Sequence, residues 1–185
     1  HVTPWFAHSR AAACGVRSAY MQPHTLGVDR WAAIVAGFRR GRASAPGEPV
    51  CVVDAGTALT IDAISASGEH QGGLILPGLR LLREALLAAA ADIDSTTQEP
   101  SAAPPGFSVF ARSTEQALAN SGSLACAAAV DRCARTLSAQ GGAPYVVLCG
   151  GDAAALAPWL ETRAQICPNL VFEGLAMLFE QRMCE

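Results

Sequence analysis

The segment 51–62 reads Cys-Val-Val-Asp-Ala-Gly-Thr-Ala-Leu-Thr-Ile-Asp and sets a carboxylate, a glycine and a hydroxyl between two apolar runs. The β-branched residues before Asp54 and the alternation of apolar and polar residues after Thr57 predict two strands joined by a tight turn at Ala55 and Gly56. Glycine lets the turn approach a ligand closely, and turn amides with a threonine hydroxyl suit a phosphate group. Two interpretations are open: a phosphate-binding turn whose aspartate holds a cation or a water, or an ordinary turn whose polar side chains bond local backbone.

Composition restricts the class of protein. The chain has 185 residues, of which 16% are charged and 51% hydrophobic, so one domain or slightly more can bury a real core. Charged residues make up about 25% of a typical soluble domain, and the lower fraction here favours closely packed helices and a buried face between subunits. The net charge of -3 and the scattered basic residues argue against a nucleic-acid partner. No apolar run approaches the roughly 20 residues of a membrane-spanning helix, so we expect a soluble protein with no membrane partner.

Cysteine usage indicates the redox environment. The spacing of the cysteines contains no C-x-x-C pair and no cysteine–histidine pattern typical of zinc sites. An odd number of cysteines spread through apolar segments predicts reduced, buried thiols and favours a reducing cytoplasm. The seven cysteines stand at positions 14, 51, 126, 133, 149, 167 and 184.

The remaining patterns predict alternating helices and strands, and therefore a mixed sheet packed against helices. The proline- and glycine-rich stretch 41–49 breaks the first helix and predicts a boundary between a unit of residues 1–48 and a unit of residues 49–185. Outside the strand pair, the predicted elements are a helix over 27–40, a strand over 72–76, a helix over 79–91, a mobile loop over 93–106, a helix over 113–139 interrupted near 121–122, a strand over 145–149, a helix over 152–159 capped by Asp152, a short strand over 169–173 and a helix from 174.

Five short motifs follow one another along the chain, at residues 20–31, 54–62, 72–78, 113–122 and 150–152. Each is weakly specific alone, but in this order they resemble the type III pantothenate kinases, also called the Bvg accessory factor family, over nearly the whole chain. The resemblance implies the acetate and sugar kinase, Hsc70 and actin fold, which is ribonuclease H-like, with ATP in a cleft between two lobes. It also implies a cytoplasmic homodimer with its active site at the subunit interface. The implied reaction is the ATP-dependent phosphorylation of pantothenate to 4'-phosphopantothenate, the first step of coenzyme A synthesis.

The resemblance implies substrate-site roles for the first motif. Asp29 corresponds to the general base that accepts the proton of the pantothenate hydroxyl, a task that an aspartate of ordinary pKa can perform because phosphoryl transfer has a loose transition state. From the residues alone, the alternative for Asp29 is a helix N-cap, which is weakened because no Glu or Gln completes a capping box. Arg30 offers a planar guanidinium to the pantothenate carboxylate, or is an exposed helix arginine. Tyr20, Gly27 and Val28 complete the implied substrate-binding positions.

The other motifs imply nucleotide and cation positions. Asp54 corresponds to the residue that binds a monovalent cation, potassium or ammonium, and Thr57 with Gly56 to nucleotide-binding positions. Thr114 corresponds to a threonine that reaches pantothenate from the partner subunit, or is an N-cap hydroxyl. Gly150 and Gly151 stand where the family lets adenosine approach a helix start, or form an ordinary strand-to-helix turn.

One motif of the family is not found in this sequence. The family's first phosphate loop, Asp-x-Gly-Asn-Thr, whose aspartate helps to hold magnesium, has no counterpart here. The second lobe looks complete and the first is represented by its tail, so we expect the helix over 27–40 to expose apolar surface. The leading functional hypotheses are a pantothenate kinase that uses ATP and magnesium, and a noncatalytic module that binds pantothenate or a protein partner. A different sugar or acyl kinase of the same superfamily is a third alternative, disfavoured because the residues 27–30 resemble the pantothenate group. His24 and His70 lie close to motifs but receive no role.

Overall fold

The computed structural model describes residues 4–89 and 109–184, so the predicted loop over 93–106 lies outside the described residues. Two short 3-10 turns, at Pro23–Thr25 and Ala157–Trp159, accompany the helices and strands. The elements in chain order are β1 (Ala12–Ala13), β2 (Val16–Arg17), α1 (Val28–Ser44), β3 (Val50–Ala55), β4 (Ala58–Ile64), β5 (His70–Pro77), α2 (Leu79–Ala89), α3 (Thr114–Ser138), β6 (Tyr145–Cys149), α4 (Ala153–Leu156), β7 (Ala164–Ile166) and α5 (Leu170–Cys184).

The main sheet has five strands in the order β5-β4-β3-β6-β7. Strand β4 pairs antiparallel with β3 and with β5, whereas β6 lies parallel to β3 and β7 parallel to β6. The predicted strand pair around Gly56 is confirmed, because β3 and β4 are joined by a turn of two residues. The predicted mixed sheet is also confirmed.

Helices cover both faces of the sheet, which gives three layers. Side chains alternate along a strand, so successive residues of β3 enter two different cores. Val50 and Val52 pack in the core shared with α1 and α5, and Cys51 and Val53 pack in the core shared with α2, α3 and α4. Strand β3 is therefore buried on both sides, and Asp54, near its carboxyl end, is the one charged residue of the strand.

Helix α1 is longer and more buried than the sequence predicts. A Cβ at Gly37 would collide with Val52 and one at Gly41 with Val50, so both glycines let the helix lie directly on β3. The predicted break at Gly41 is wrong for this reason, and the helix continues to Ser44. The expected apolar exposure is also wrong: Trp31 is fully buried, because α5 covers the side of α1 that the sheet leaves open.

Two further expectations are corrected. The helix α3 runs without interruption because Gly122 faces α2, where a Cβ would lie 3.3 Å from the Leu79 carbonyl oxygen, and the Ser121 hydroxyl bonds the Leu118 carbonyl within the helix. The short strand predicted over 169–173 is the start of α5, and the strand that pairs with β6 is Ala164–Ile166.

The contact between α1 and α5 gives a stability prediction. A Cβ at Gly174 of α5 would collide with the backbone of Ala32 in α1. We expect Gly174→Ala to lower the free energy of unfolding by about 1–3 kcal/mol, since overpacking outweighs the gain in helix propensity. Urea unfolding followed by circular dichroism measures the change, with Glu180→Ala on the exposed side of the same helix as control. An unchanged midpoint for Gly174→Ala would contradict the close packing of the two helices.

Candidate active site

Two glycine turns meet at the carboxyl ends of the parallel strands β3 and β6. Asp54 lies opposite Cys149 in the register of these strands, and both stand on the face that α1 covers. The turn after β6 begins at Gly150, which has φ +91° and leaves no room for a Cβ against Ala55 and the Asp54 carboxylate. Ligands of open α/β sheets bind at the carboxyl ends of the strands. Motifs about 100 residues apart thus converge on one edge of the sheet.

Two aspartates lie together at this edge. Asp29 is exposed in the first turn of α1, and its Oδ1 accepts the backbone N–H of Arg30 at 2.8 Å. The N-cap of α1 is Gly27, so the alternative of Asp29 as an N-cap is wrong. Burial raises the pKa of Asp54, and the nearby Asp29 charge raises that pKa further, while a hydrogen bond from the Cys149 thiol lowers it. The Asp29 carboxylate is therefore not the N-cap, although its Oδ1 satisfies one first-turn N–H of α1, and its charge acts on Asp54.

The donor set around Asp54 fits a monovalent cation. Carboxylate and carbonyl oxygens are the ligands that hard cations prefer, and a cation between Asp54 and Asp29 would relieve the repulsion between their charges. Within residues 4–89 and 109–184, no three His, Cys, Asp or Glu side chains are grouped to hold a metal ion. A cation here would therefore depend on Asp54, backbone carbonyls and the phosphate oxygens of a nucleotide.

The turn between β3 and β4 offers fewer free amides than the sequence predicts. The Gly56 N–H donates to the Ala58 carbonyl at 3.1 Å, so it closes the turn and cannot point to a phosphate. Thr57 is exposed, while its carbonyl accepts the Gly78 N–H at 2.9 Å and holds the turn in place. The Thr57 hydroxyl, rather than consecutive turn amides, is the group that this turn presents.

The second glycine turn is tied to the first. The Asp152 N–H donates to the Ala55 carbonyl at 2.9 Å. Asp152 occupies the N-cap position of α4 as predicted, but its side chain makes no capping bond. Next to it, a Cβ at Gly151 would meet no atom within 4 Å. The space beside Gly151 can admit a ligand, whereas Gly150 is fixed by its contact with β3.

Arg30 lies below the site in a buried ion pair, so the alternative of an exposed helix arginine is wrong. Its side chain is only 8% exposed. The guanidinium donates to both carboxylate oxygens of Asp62, from Nε at 3.0 Å and from Nη2 at 2.6 Å, while Nη1 donates to the Tyr20 hydroxyl at 3.2 Å. One edge of the guanidinium is thus held by the protein, and Tyr20 stands at the outer end of the cluster.

Sequence reasoning missed two members of this cluster. Asp62 was expected on the polar side of β4, yet it is 1% exposed because α1 covers that side of a central strand. His70 is fully buried and its Nε2 lies 3.0 Å from Asp62 Oδ1. A carboxylate on a central strand is the signal that could have found the cluster, since a buried charge needs a partner.

Thr114 is not brought to the other substrate positions within one chain. It is exposed at the first turn of α3, which packs on the sheet face opposite to α1. The N-cap of α3 is Ser113, whose hydroxyl accepts the Gln116 N–H at 3.2 Å, so the N-cap alternative for Thr114 is wrong. At the start of α1, Val28 remains partly exposed.

The architecture defines the class of fold: an α/β protein with a mixed sheet covered by helices on both faces, and with two glycine turns at the carboxyl edge of its parallel strands. The profile of the type III pantothenate kinase family matches residues 1–136. The chain is 37% identical over 177 residues to the type III pantothenate kinase of Nitrosococcus oceani, covering 95% of this chain and 64% of that protein. It is 42% identical over 169 residues to that of Alkalilimnicola ehrlichii, covering 91% and 64%.

The chain belongs to the type III pantothenate kinase family, and it has the acetate and sugar kinase, Hsc70 and actin fold of that family. A solved structure of a Baf family protein from Campylobacter jejuni matches with a TM-score of 0.58 and 24% identity, over 92% of this chain and 71% of that one, and agrees in fold. The chain spans 64% of the length of the two relatives named above. No helix in the described part of the chain is both long and apolar enough to span a membrane.

The raised pKa of Asp54 predicts how stability responds to its removal. The pKa of an aspartate is about 3.9 in the unfolded state, and that of Asp54 is higher in the folded state. Folding therefore favours the protonated form, and the contribution of this group to stability decreases as pH rises from the unfolded-state pKa through the folded-state pKa. Asp54→Asn should therefore unfold at a higher denaturant concentration than the wild type at pH 7 and in the absence of nucleotide, and the difference should shrink toward pH 3. A lower midpoint for Asp54→Asn at pH 7 would show that the carboxylate stabilises the fold.

Proposed function

We propose that the protein containing this chain phosphorylates the primary hydroxyl of pantothenate with ATP. The observation that carries the proposal is the convergence of Asp29, Asp54 and the two glycine turns at one edge of the sheet in a member of this family. The noncatalytic module remains the second candidate. The two candidates differ in whether phosphoryl transfer follows pantothenate binding.

In the proposed reaction, Asp29 accepts the proton of the attacking hydroxyl. Its carboxylate is exposed and its Oδ1 accepts the Arg30 N–H, so a substrate hydroxyl can approach the other oxygen at hydrogen-bond distance. Tyr20 and Arg30 bind the pantothenate carboxylate, and Gly27 and Val28 line the approach to Asp29. Thr114 contacts pantothenate from the partner subunit of a homodimer, which accounts for its position on the opposite face of its own sheet.

The nucleotide occupies the edge formed by the two turns. Thr57 donates its hydroxyl to a phosphate oxygen beside Gly56, and Gly150 and Gly151 allow adenosine to lie against the backbone. Asp54 holds potassium or ammonium, which supplies positive charge to the phosphates when bound; magnesium accompanies ATP. Phosphoryl transfer depends mainly on positioning and charge neutralisation, and in this proposal these groups supply both. The cytoplasm, where ATP is available, is the proposed location.

The test is product analysis with the protein at its native length. We expect mass spectrometry to detect ADP and phosphopantothenate in equal amounts in potassium chloride with magnesium and ATP, and less of both when sodium replaces potassium. Pantothenate binding without ADP release would favour the noncatalytic module. Phosphorylation of a different small alcohol, with pantothenate inert, would contradict the assigned substrate.

A further inference from the structure

A buried hydrogen-bonded cluster lies behind the proposed substrate carboxylate. Asp62 and His70 have side chains that are 2% and 0% exposed, and neither takes part in the reaction described above. They connect strands β4 and β5 to Arg30 of α1 and, through it, to Tyr20. Such a cluster is costly to bury unless all of its groups are satisfied.

The direction of every hydrogen bond in the cluster can be read from its donors. The Ala19 backbone N–H donates to His70 Nδ1 at 3.4 Å, so the ring proton resides on Nε2 and is donated to Asp62 Oδ1 at 3.0 Å. An arginine can only donate, and it donates to Asp62 and to the Tyr20 oxygen. The Tyr20 oxygen therefore accepts from inside the protein, and its own proton points away from Arg30.

Two contacts support this arrangement. The rings of Tyr20 and His70 stack with centroids 6.1 Å apart and planes 17° from parallel, so His70 positions Tyr20 directly as well as through Arg30. At Gly73, a Cβ would lie 2.6 Å from Arg30 Nη2 and 2.5 Å from the Ile61 carbonyl oxygen. The glycine of the third motif thus makes room for the ion pair.

We propose that Asp62 and His70 are positioning residues, which orient Arg30 and Tyr20 so that the outer end of the cluster offers only hydrogen-bond donors. This end then binds the carboxylate of the substrate in preference to the corresponding neutral amide. The inference rests on the proposed function for the identity of the substrate. Tyr20 donates its hydroxyl proton to one carboxylate oxygen, and Arg30 has N–H groups beyond those used by Asp62 and Tyr20. Hydrogen bonds to a charged group contribute more than neutral ones, so an acid gains more from this end than an amide does.

Binding of pantothenate and of its primary carboxamide analogue, measured by calorimetry without ATP, tests the proposal. We expect His70→Phe to weaken pantothenate binding by about 10-fold and the carboxamide by less than about threefold, because Phe keeps the stacking and loses both hydrogen bonds. His70→Gln can accept from Ala19 and donate to Asp62, so it should restore most of the acid preference. His24→Gln, on an exposed turn nearby, is the matched control. In turnover, KM for pantothenate should rise more than kcat falls.

If His70→Phe weakens the binding of pantothenate and of the carboxamide equally, or if His70→Gln does not restore the acid preference, His70 has only a packing role and the proposal is overturned. If His70→Phe does not fold, Tyr20→Phe removes the outward donor together with the acceptor of the Arg30 Nη1 hydrogen bond, and should lose the acid preference. An unchanged preference overturns the proposal. Nitrogen NMR of the labelled histidines gives a readout independent of substrate: a proton on Nδ1 of His70 contradicts the donor direction. Failure of the wild type to bind pantothenate overturns both this inference and the proposed function, whereas phosphorylation with an unaltered preference in His70→Phe overturns this inference alone.

Discussion

Replacing Asp29 with asparagine is expected to abolish most turnover while leaving the fold intact. General base catalysis contributes about 10²- to 10⁴-fold, so we expect kcat to fall by that amount with little change in KM for pantothenate. Because Asp29 is exposed and asparagine keeps a side-chain oxygen that can accept the Arg30 N–H, the free energy of unfolding should change by less than about 0.5 kcal/mol. Steady-state ADP formation and a urea melt of the same sample measure the two quantities.

The control for Asp29→Asn is Glu69→Gln, another exposed carboxylate, which belongs to a pair with Arg17 outside the proposed site. We expect this control to retain wild-type turnover. A kcat within twofold of the wild type for Asp29→Asn would remove Asp29 from the base role. Loss of turnover together with loss of the folded signal would show a structural role instead.

Replacing Asp62 with alanine is expected to give the largest loss of stability among single changes at the site. The change leaves Arg30 as a buried charge without its carboxylate, and breaking a buried pair from one side costs about 3–5 kcal/mol. His70 also loses the acceptor of its Nε2 proton. Denaturant unfolding at pH 7 measures the loss, with Glu69→Gln expected to change stability by at most about 1 kcal/mol because its pair with Arg17 is exposed.

A double variant separates the charge effect from the loss of packing. In Arg30→Met with Asp62→Leu, no charge is left unpaired, so we expect the double variant to be more stable than Asp62→Ala. It should nevertheless lose pantothenate binding, because Arg30 is part of the proposed carboxylate site. A loss below about 1 kcal/mol for Asp62→Ala would show that water or another group satisfies Arg30.

The sequence predicted the elements whose periodicity is local. The strand pair around Gly56, the strand over 145–149 and the helices α1 and α3 all follow from runs of apolar residues at strand or helix spacing. Segment 169–173 was assigned as a strand because a short apolar run does not distinguish a strand from a buried helix start. The extension of α1 through Gly41 was missed because a glycine reads as a helix break until its contact with β3 is known.

Single motifs supplied the candidate site residues, whereas the contacts between distant segments were missed. The resemblance to the family assigned Asp29, Asp54 and the glycine turns, and the structure brings these together at one edge. Arg30 and Asp62 are 32 residues apart in the sequence, and Ala19 and His70 are 51 apart. No local sequence pattern predicts contacts over such separations. Alternation along β4 placed Asp62 on the polar side of the strand, and only the tertiary cover by α1 makes it a buried partner.

The most direct test of the central claim is a crystal structure of the native-length protein with pantothenate. We expect the carboxylate within hydrogen-bond distance of Tyr20 and Arg30, and the primary hydroxyl within hydrogen-bond distance of the Asp29 carboxylate. A different location is available, because a cavity of about 760 Å³ lies between α1 and α5, lined by Phe38 and Met177 among others. Pantothenate bound there, with its hydroxyl remote from Asp29, would contradict the proposed site.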